Sequence, residues 1–345
     1  MIDQYVAVNN ALIKKHKVWC QLILTLALGN GFSAWAANLP NAEGLVQQLG
    51  ISQQDLVNLN KGDIVYFDVS EGDEKELAAG AAMYLHGSPA KAVAFMKSNG
   101  LLSIDGEVTA QAVIPAQATL DAFKGFKFKP GSEEEARFLA AKPGSQFNLS
   151  TQEFQSLQAI NPAQPDAASQ AYQKILFQRW QAYRKAGLKG IALYDRGNGS
   201  EANPAEELQI AAKSSKVLSQ YFSELSKAWL NYPAVLPVGA EETFFLRNRQ
   251  VENRPTAMLL HRIMLTTDAG ELLLARQFYA GHSYNSTQLV IACLPYQDGS
   301  LVFFANRTFT DQVAGFGSRL KHSIGGEQAR GEMTKLLKNM RKAFK

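Results

Sequence analysis

The sequence predicts an α+β fold: a curved antiparallel sheet with a long C-terminal helix and an inserted helical block. Three observations carry this. From residue 234 onward the apolar residues alternate in runs separated by turn residues, the two-residue period of a half-buried strand. Between residues 132 and 233 they recur every three or four positions, the period of an amphipathic helix. The last stretch puts Met333, Leu336, Leu337, Met340, Ala343 and Phe344 on one stripe and leaves Lys335, Lys338, Arg341, Lys342 and Lys345 for water.

Residues 1–36 stand apart from the fold. Lys14, Lys15 and Lys17 precede the apolar run "VWCQLILTLAL", and Ala34 and Ala36 form a small-residue cleavage site. The run is too short for a hydrocarbon core that needs about 20 residues, so the layout is that of a secretory signal peptide cleaved after Ala36, with a retained anchor as the alternative. Cys20 opens the apolar run rather than closing it, which argues against a lipoprotein. Cleavage would remove three lysines and Asp3, taking the formal charge from +4 to +2. A nearly neutral chain argues against nucleic acid as a partner. Only Cys293 would remain, a core thiol with no disulfide partner, and the expected address is the periplasm.

The remaining residues read as one β-framed domain, 37–131 and 234–345, interrupted by the helical insert 132–233. "DIVYFDV" and "LAAGAAMYLHG" form a hairpin around a Gly/Asp/Glu-rich turn. Ser88 then caps a short helix with Pro89 in its first turn. "EVTAQAVIP" and "FKGFKFK" show short β-like alternation. In the insert, Asp166 is placed to cap a helix that carries Tyr172, Ile175, Leu176, Trp180 and Tyr183 and stops at Gly187. A second long helix opens at Asn203 and runs to a stop at Pro233, with Glu206 and Glu207 complementing its dipole. Five strands with short turns follow, an antiparallel meander, and then the terminal helix.

Two strands, a short helix at "GSPAKAVAFM", a curved antiparallel sheet and the terminal "GFGSRLKHSIGGEQARGEMTKLLKNMRKAF" together resemble the START-like, or helix-grip, superfamily. The resemblance covers about Asp63–Asn99 and Glu241–Lys345 and departs from the family at the helical insert. It implies a hollow between sheet and last helix that holds a lipid or another apolar ligand. The chain also resembles uncharacterised exported bacterial proteins.

Candidate chemistry concentrates in "LLLARQFYAGHSYNS". Strict alternation puts Arg276, Phe278, Ala280, His282 and Tyr284 on one face and Gln277, Tyr279, Gly281 and Ser283 on the other. Facing a hollow, the first set offers a cation, an imidazole and a phenol beside an aromatic wall; facing water, it is an ordinary solvated sheet. The expected ligand-binding set is Tyr84, Arg276, Phe278, His282, Tyr284, Phe303 and Arg307, with Arg276 or Arg307 meeting a polar head. His261 shares a face with Leu259, Ile263 and Leu265 and reads as a core histidine.

No histidine or cysteine spacing suggests a metal, no cofactor fingerprint is present, and no catalytic residue is assigned. "SPAK" and "SRLK" match a serine-lysine pattern but read as a helix cap and a loop. Phe123, Phe126 and Phe128 between lysines, with Arg307 and the cations of the last helix, raise contact with a membrane surface. The function expected is a periplasmic carrier of an apolar ligand, not an enzyme; the alternatives are an accessory enzyme on a lipid or envelope substrate with His282 as acid or base, and an interaction module using the insert.

Overall fold

The computed structural model describes residues 41–98 and 104–344; the segment read as a signal peptide lies outside these residues. Helices α1 (Ala42–Gln48) and α2 (Gln53–Asn60) come first, capped by Asn41 and Ser52. Strands β1 (Val65–Phe67) and β2 (Glu76–Leu85) pair antiparallel with Val65 opposite Ala82. Gly80 keeps the pair close, because a Cβ there would stand 2.3 Å from the Phe67 ring. Helix α3 (Pro89–Lys97) follows, its cap Ser88 accepting from Lys91 N, and β3 spans Val108–Ile114.

The phenylalanine-lysine stretch after β3 is not a strand. It forms a 3-10 turn, Leu120–Phe123, and an irregular run in which Phe123, Phe126 and Phe128 are all buried. Their rings meet Trp180 and Tyr172 of the long insert helix, whose apolar stripe took them out of water. The membrane reading of these rings is thereby corrected: they are core.

The insert is more broken than its periodicity predicts. It contains α4 (Glu133–Leu139), α5 (Thr151–Leu157), α6 (Ala167–Ala186), the hairpin β4 (Tyr194–Gly197) and β5 (Ser200–Ala202), then α7 (Pro204–Lys213), α8 (Lys216–Tyr221) and α9 (Ser223–Leu230). Asp166 precedes α6 in a left-handed conformation and makes no side-chain cap, contrary to expectation. Gly187 does end α6, where its φ of 57° and the Tyr232 carbonyl, 1.8 Å from a built Cβ, exclude any side chain. Asn203 caps α7 as expected, but the single helix foreseen to Pro233 breaks twice. Ser214 turns its hydroxyl back onto Ile210 O, competing with the backbone ladder, and Phe222 leaves the helical region at φ −129°.

Strands β6 (Ala240–Val251), β7 (Arg254–Thr267), β8 (Gly270–Ala280), β9 (Ser286–Tyr296) and β10 (Gly299–Phe309) form the expected meander. The main sheet runs β1-β2-β10-β9-β8-β7-β6-β3, so the first long strand pairs with the last. Helix α10 (Ser318–Ala343) closes the chain.

Both faces of the sheet are covered. Ile263, Leu272, Leu274, Ala292 and Phe303 point toward α1, α2 and the end of the insert, while Phe244, Leu246, Leu259 and Phe278 meet α6. On the opposite face Met264, Leu273, Ile291, Cys293 and Val302 pack against α3 and against Met333, Leu337, Met340 and Phe344 of the terminal helix. Leu336 is only partly buried and Ala343 is exposed. Burial raises the Cys293 thiol to about 12, which makes it inert at neutral pH.

Candidate functional site

Strict alternation fails within β8. Leu259 pairs with Tyr279 but Leu260 pairs with Gln277, so Phe278 is an extra residue in a bulge. Phe278 and Tyr279 therefore both face the insert, and Ala280 turns to the other side, beside Met258.

One register row crosses the insert-facing side of the sheet: Phe244, His261, Arg276, Gln288 and Arg307 stand opposite one another on β6, β7, β8, β9 and β10. Arg276 is 0% exposed and has no carboxylate partner among the described residues. Its guanidinium lies 3.9 Å from the Trp229 ring centroid and donates to Trp229 O and to the Tyr183 hydroxyl, both at 3.1 Å. The carbonyl belongs to the C-terminal turn of α9, whose partial negative charge offsets the cation. The Tyr183 hydroxyl then donates to His261 Nδ1 at 2.9 Å. His261 Nε2 stands 2.9 Å from Glu242 Oε1, off the line a good hydrogen bond needs. Burial lowers the His261 pKa to about 4 against the pull of Glu242, so the imidazole is neutral and the row ends in one carboxylate near the surface. The Trp229 indole donates to Gln288 Oε1 at 2.8 Å. Arg276 thus clamps α9 and α6 to the sheet.

The seven residues expected around a hollow divide into groups. Arg276 and Phe278 meet at Tyr183, where the Phe278 ring stacks with centroids 4.0 Å apart. Tyr84 and Phe303 share the apolar cluster under α1, α2 and α9. Arg307 is buried and ion-pairs with Glu76. These five face the insert, not the terminal helix. Tyr284 packs on the opposite side with Phe245, Met258 and Leu260, its hydroxyl donating to Gln277 Oε1 at 2.5 Å. His282 belongs to neither face, since it lies in the turn between β8 and β9.

That turn, Gly281 to Asn285, is held from many directions. Asn148 donates through its side chain to the carbonyls of Ala280 and Tyr284, each at 2.8 Å, and its N–H donates to Gly281 O. Thr310 and Gln312 donate to Ser283 O, and the Tyr194 hydroxyl donates to Asn285 O. Ser283 has φ 71°, and Tyr284 N bonds back to His282 O across it. A three-residue turn of that hand is rare and strained for any residue with a Cβ. Its hydroxyl donates to Glu252 Oε2 at 2.6 Å and lies 2.7 Å from His282 Nδ1, while His282 Nε2 is 2.7 Å from the Thr256 hydroxyl. Burial, reinforced by Arg254, lowers the His282 pKa to about 4, so the ring is neutral at pH 7.

The chain matches no family model, and no curated protein or solved structure matches it. The site must therefore be read from its own chemistry.

Two proton arrangements can be drawn for this line of groups, and only the first gives the Ser283–Glu252 contact its proton. In one, Ser283 donates to Glu252, His282 Nδ1–H donates to Ser283, and Thr256 donates to Nε2. In the other, Ser283 donates to a bare Nδ1, and Nε2–H donates to Thr256, whose own proton goes to Arg254 O, 3.1 Å away. The second arrangement is that of a hydroxyl nucleophile beside its base, with the base held by a third group.

A second polar cluster adjoins the turn. Glu207 of α7 is buried, and its carboxylate accepts from Asn285 Nδ2 at 2.7 Å and Ser286 Oγ at 2.8 Å. Burial raises its pKa to about 7 despite these donors. Nearby Asp311 feels burial too, but Lys75 and Arg196 outweigh it and hold this carboxyl below the usual range. Sequence reasoning treated Glu207 only as a helix-dipole residue and found no nucleophile near His282. Neither a bulge nor a left-handed serine leaves a local signal in the sequence. A groove of about 460 Å³ runs along the β4–β5 hairpin, lined by Thr151, Asp195, Asn198, Ser200 and Glu201. Among the described residues no group of acids, histidines and cysteines could hold a metal ion.

Proposed function

We propose that the protein is an enzyme of the acyl-transfer class, a hydrolase of an ester or similarly activated acyl group, with Ser283 as nucleophile and His282 as base. One observation carries this reading: a serine held on strained backbone with its hydroxyl within 2.7 Å of an imidazole. Backbone strain persists only where the surroundings over-determine it, and it clusters where a side chain must be aimed. In the reaction the Ser283 Oγ bonds to the acyl carbon while its proton moves to His282 Nδ1. That proton then leaves with the departing alcohol. Water repeats the exchange and frees the acid, restoring Oγ–H. Thr256 acts through His282 as a positioning residue. A base whose pKa is about 4 stays unprotonated throughout the neutral range, so activity should be flat from pH 6 upward and fall with an inflection near 4.

A fluorophosphonate probe, which bonds to activated serines, tests this on the full chain. Peptide mapping should find the adduct on Ser283 and lose it in Ser283→Ala. A folded protein that stays unlabelled, or is labelled elsewhere, overturns the assignment. His282→Ala should lower any turnover by about 10²–10⁴.

A second reading, the carrier of an apolar ligand, is favoured by a different observation. The apolar layer under α10 gives way to half-buried Ala275, Leu289, Gln277 and Tyr284, with Arg247 and Arg262 on the same side of the sheet. Arg262 Nε is buried without a hydrogen-bond partner, and burial lowers the pKa of both arginines. An amphiphile with an acidic head would suit an apolar layer that ends in cations. The helix-grip resemblance supports this reading, since α3 and α10 lie on one face of the sheet. Native mass spectrometry of protein purified from its own source, with solvent extraction, should then find a stoichiometric apolar adduct. Both readings place the protein in the periplasm on the strength of the signal-like segment.

A further inference from the structure

Helix α10 uses one face to hold the sheet and leaves another bare. Met333, Leu337 and Met340 are buried, whereas Phe316, Leu320 and Ile324 are 102%, 68% and 51% exposed. Leu320 and Ile324 lie four residues apart and share one stripe along the first turns of the helix, while Phe316 stands just before it, ahead of Gly317 at φ 75°. Lys338 and Lys342 follow Leu320 and Ile324 by about five full turns and continue that stripe as cations. Arg319 and Lys321 flank its apolar end. Arg319, Lys338 and Lys342 have no acid partner among the described residues. The helix carries two acids: Glu332 pairs with Arg249, and Glu327, seven residues after Leu320, lies on the stripe between its apolar end and Lys338.

We infer that this face of α10 docks on an anionic lipid surface, with Phe316, Leu320 and Ile324 entering the interface and the cations meeting lipid phosphates. Apolar side chains bordered by lysine and arginine are the composition of an interfacial helix, and the excess of unpaired cations is the complement of an anionic leaflet. Two aliphatic residues exposed on one helix face, with a fully exposed phenylalanine at the helix entry, form an apolar patch of the kind that marks an interaction site. The mode is surface contact, since no helix among the described residues is long and apolar enough to cross a membrane. The inference does not depend on Ser283 or on any ligand under the sheet.

Sedimentation of the full chain with vesicles tests it. Vesicles of phosphatidylglycerol and phosphatidylcholine should pellet the protein, pure phosphatidylcholine should not, and the bound fraction should fall on going to about 0.5 M salt as charges are screened. Leu320→Glu with Ile324→Glu should weaken binding at least tenfold, and Arg319→Glu with Lys338→Glu should do the same, with circular dichroism unchanged. Absence of binding by the parent protein overturns the inference. So does full binding by the apolar double variant, which would mean that another segment makes the contact. A parent protein that instead dimerises, and is made monomeric by the Leu320→Glu change, would assign the stripe to a second copy and equally refute lipid docking.

Discussion

Replacing Glu207 by glutamine should stabilise the protein at alkaline pH and do little at acid pH. The carboxyl titrates at about 7 in the folded chain against an ordinary value of 4.5, because α7 holds it beneath the β8–β9 turn, away from water. A raised acid pKa means that the folded state holds its proton while the unfolded state has released it. Stability therefore declines as pH rises from 4.5 to about 7. At 1.36 kcal/mol per pH unit the penalty is about 3 kcal/mol at pH 8 and about 1 kcal/mol at pH 5. Glutamine carries no charge to desolvate. Its oxygen can accept from Asn285 Nδ2 and its amide can donate to a reoriented Ser286 hydroxyl, so both native contacts have a counterpart. Urea unfolding at pH 5 and pH 8 would compare the two proteins. The parent should lose about 2 kcal/mol more than Glu207→Gln between those conditions. If the two proteins change in parallel, or if the variant is the weaker one at pH 8, the buried carboxyl is not the cause.

Other outcomes follow from the same geometry. His261 and His282 both have folded pKa values of about 4 against 6.5, so their neutral forms stabilise the fold above pH 6.5 and that contribution is lost toward pH 4. His261→Gln should flatten the acid limb of a stability profile measured by denaturant titration. Ser283→Gly should be more stable than Ser283→Ala by about 1 kcal/mol, because only glycine adopts φ 71° without cost, yet both should abolish probe labelling. Gly187→Ala should lower the melting temperature far more than Gly199→Ala, since both have positive φ but only the first meets a backbone oxygen. Thr256→Ser should retain turnover and Thr256→Val should lose it with an altered pH profile, which a merely structural threonine would not predict.

The meander, the hairpin, the capped helix at Ser88 and the terminal helix were legible because each depends on a local period or a capping residue. The burial of Phe123, Phe126 and Phe128 was not, because alternation reads the same whether a ring meets water or α6. Within "RQFYAGHSYN" alternation assumes one residue per register step, and the extra Phe278 breaks that assumption, sending Tyr279 and Ala280 to the sides opposite to those expected. His282 was singled out from the stretch as a residue facing a hollow, whereas its partners in the structure come from sequence-distant Thr256 and from Ser283, which Glu252 holds, together with a backbone conformation at Ser283 that no residue type announces.

The pairing of β2 with β10 sets a condition on how the chain folds. Glu76 stands opposite Phe309, and every residue of the helical insert lies in the loop that this contact closes. Contacts so distant in sequence must overcome loop-closure entropy before they return any stabilisation, and proteins that depend on them fold slowly. The meander β6–β10 can assemble from neighbouring hairpins. The sheet as a whole stays open at β2 until residue 309 has been synthesised, and the layer that α10 buries cannot form before then.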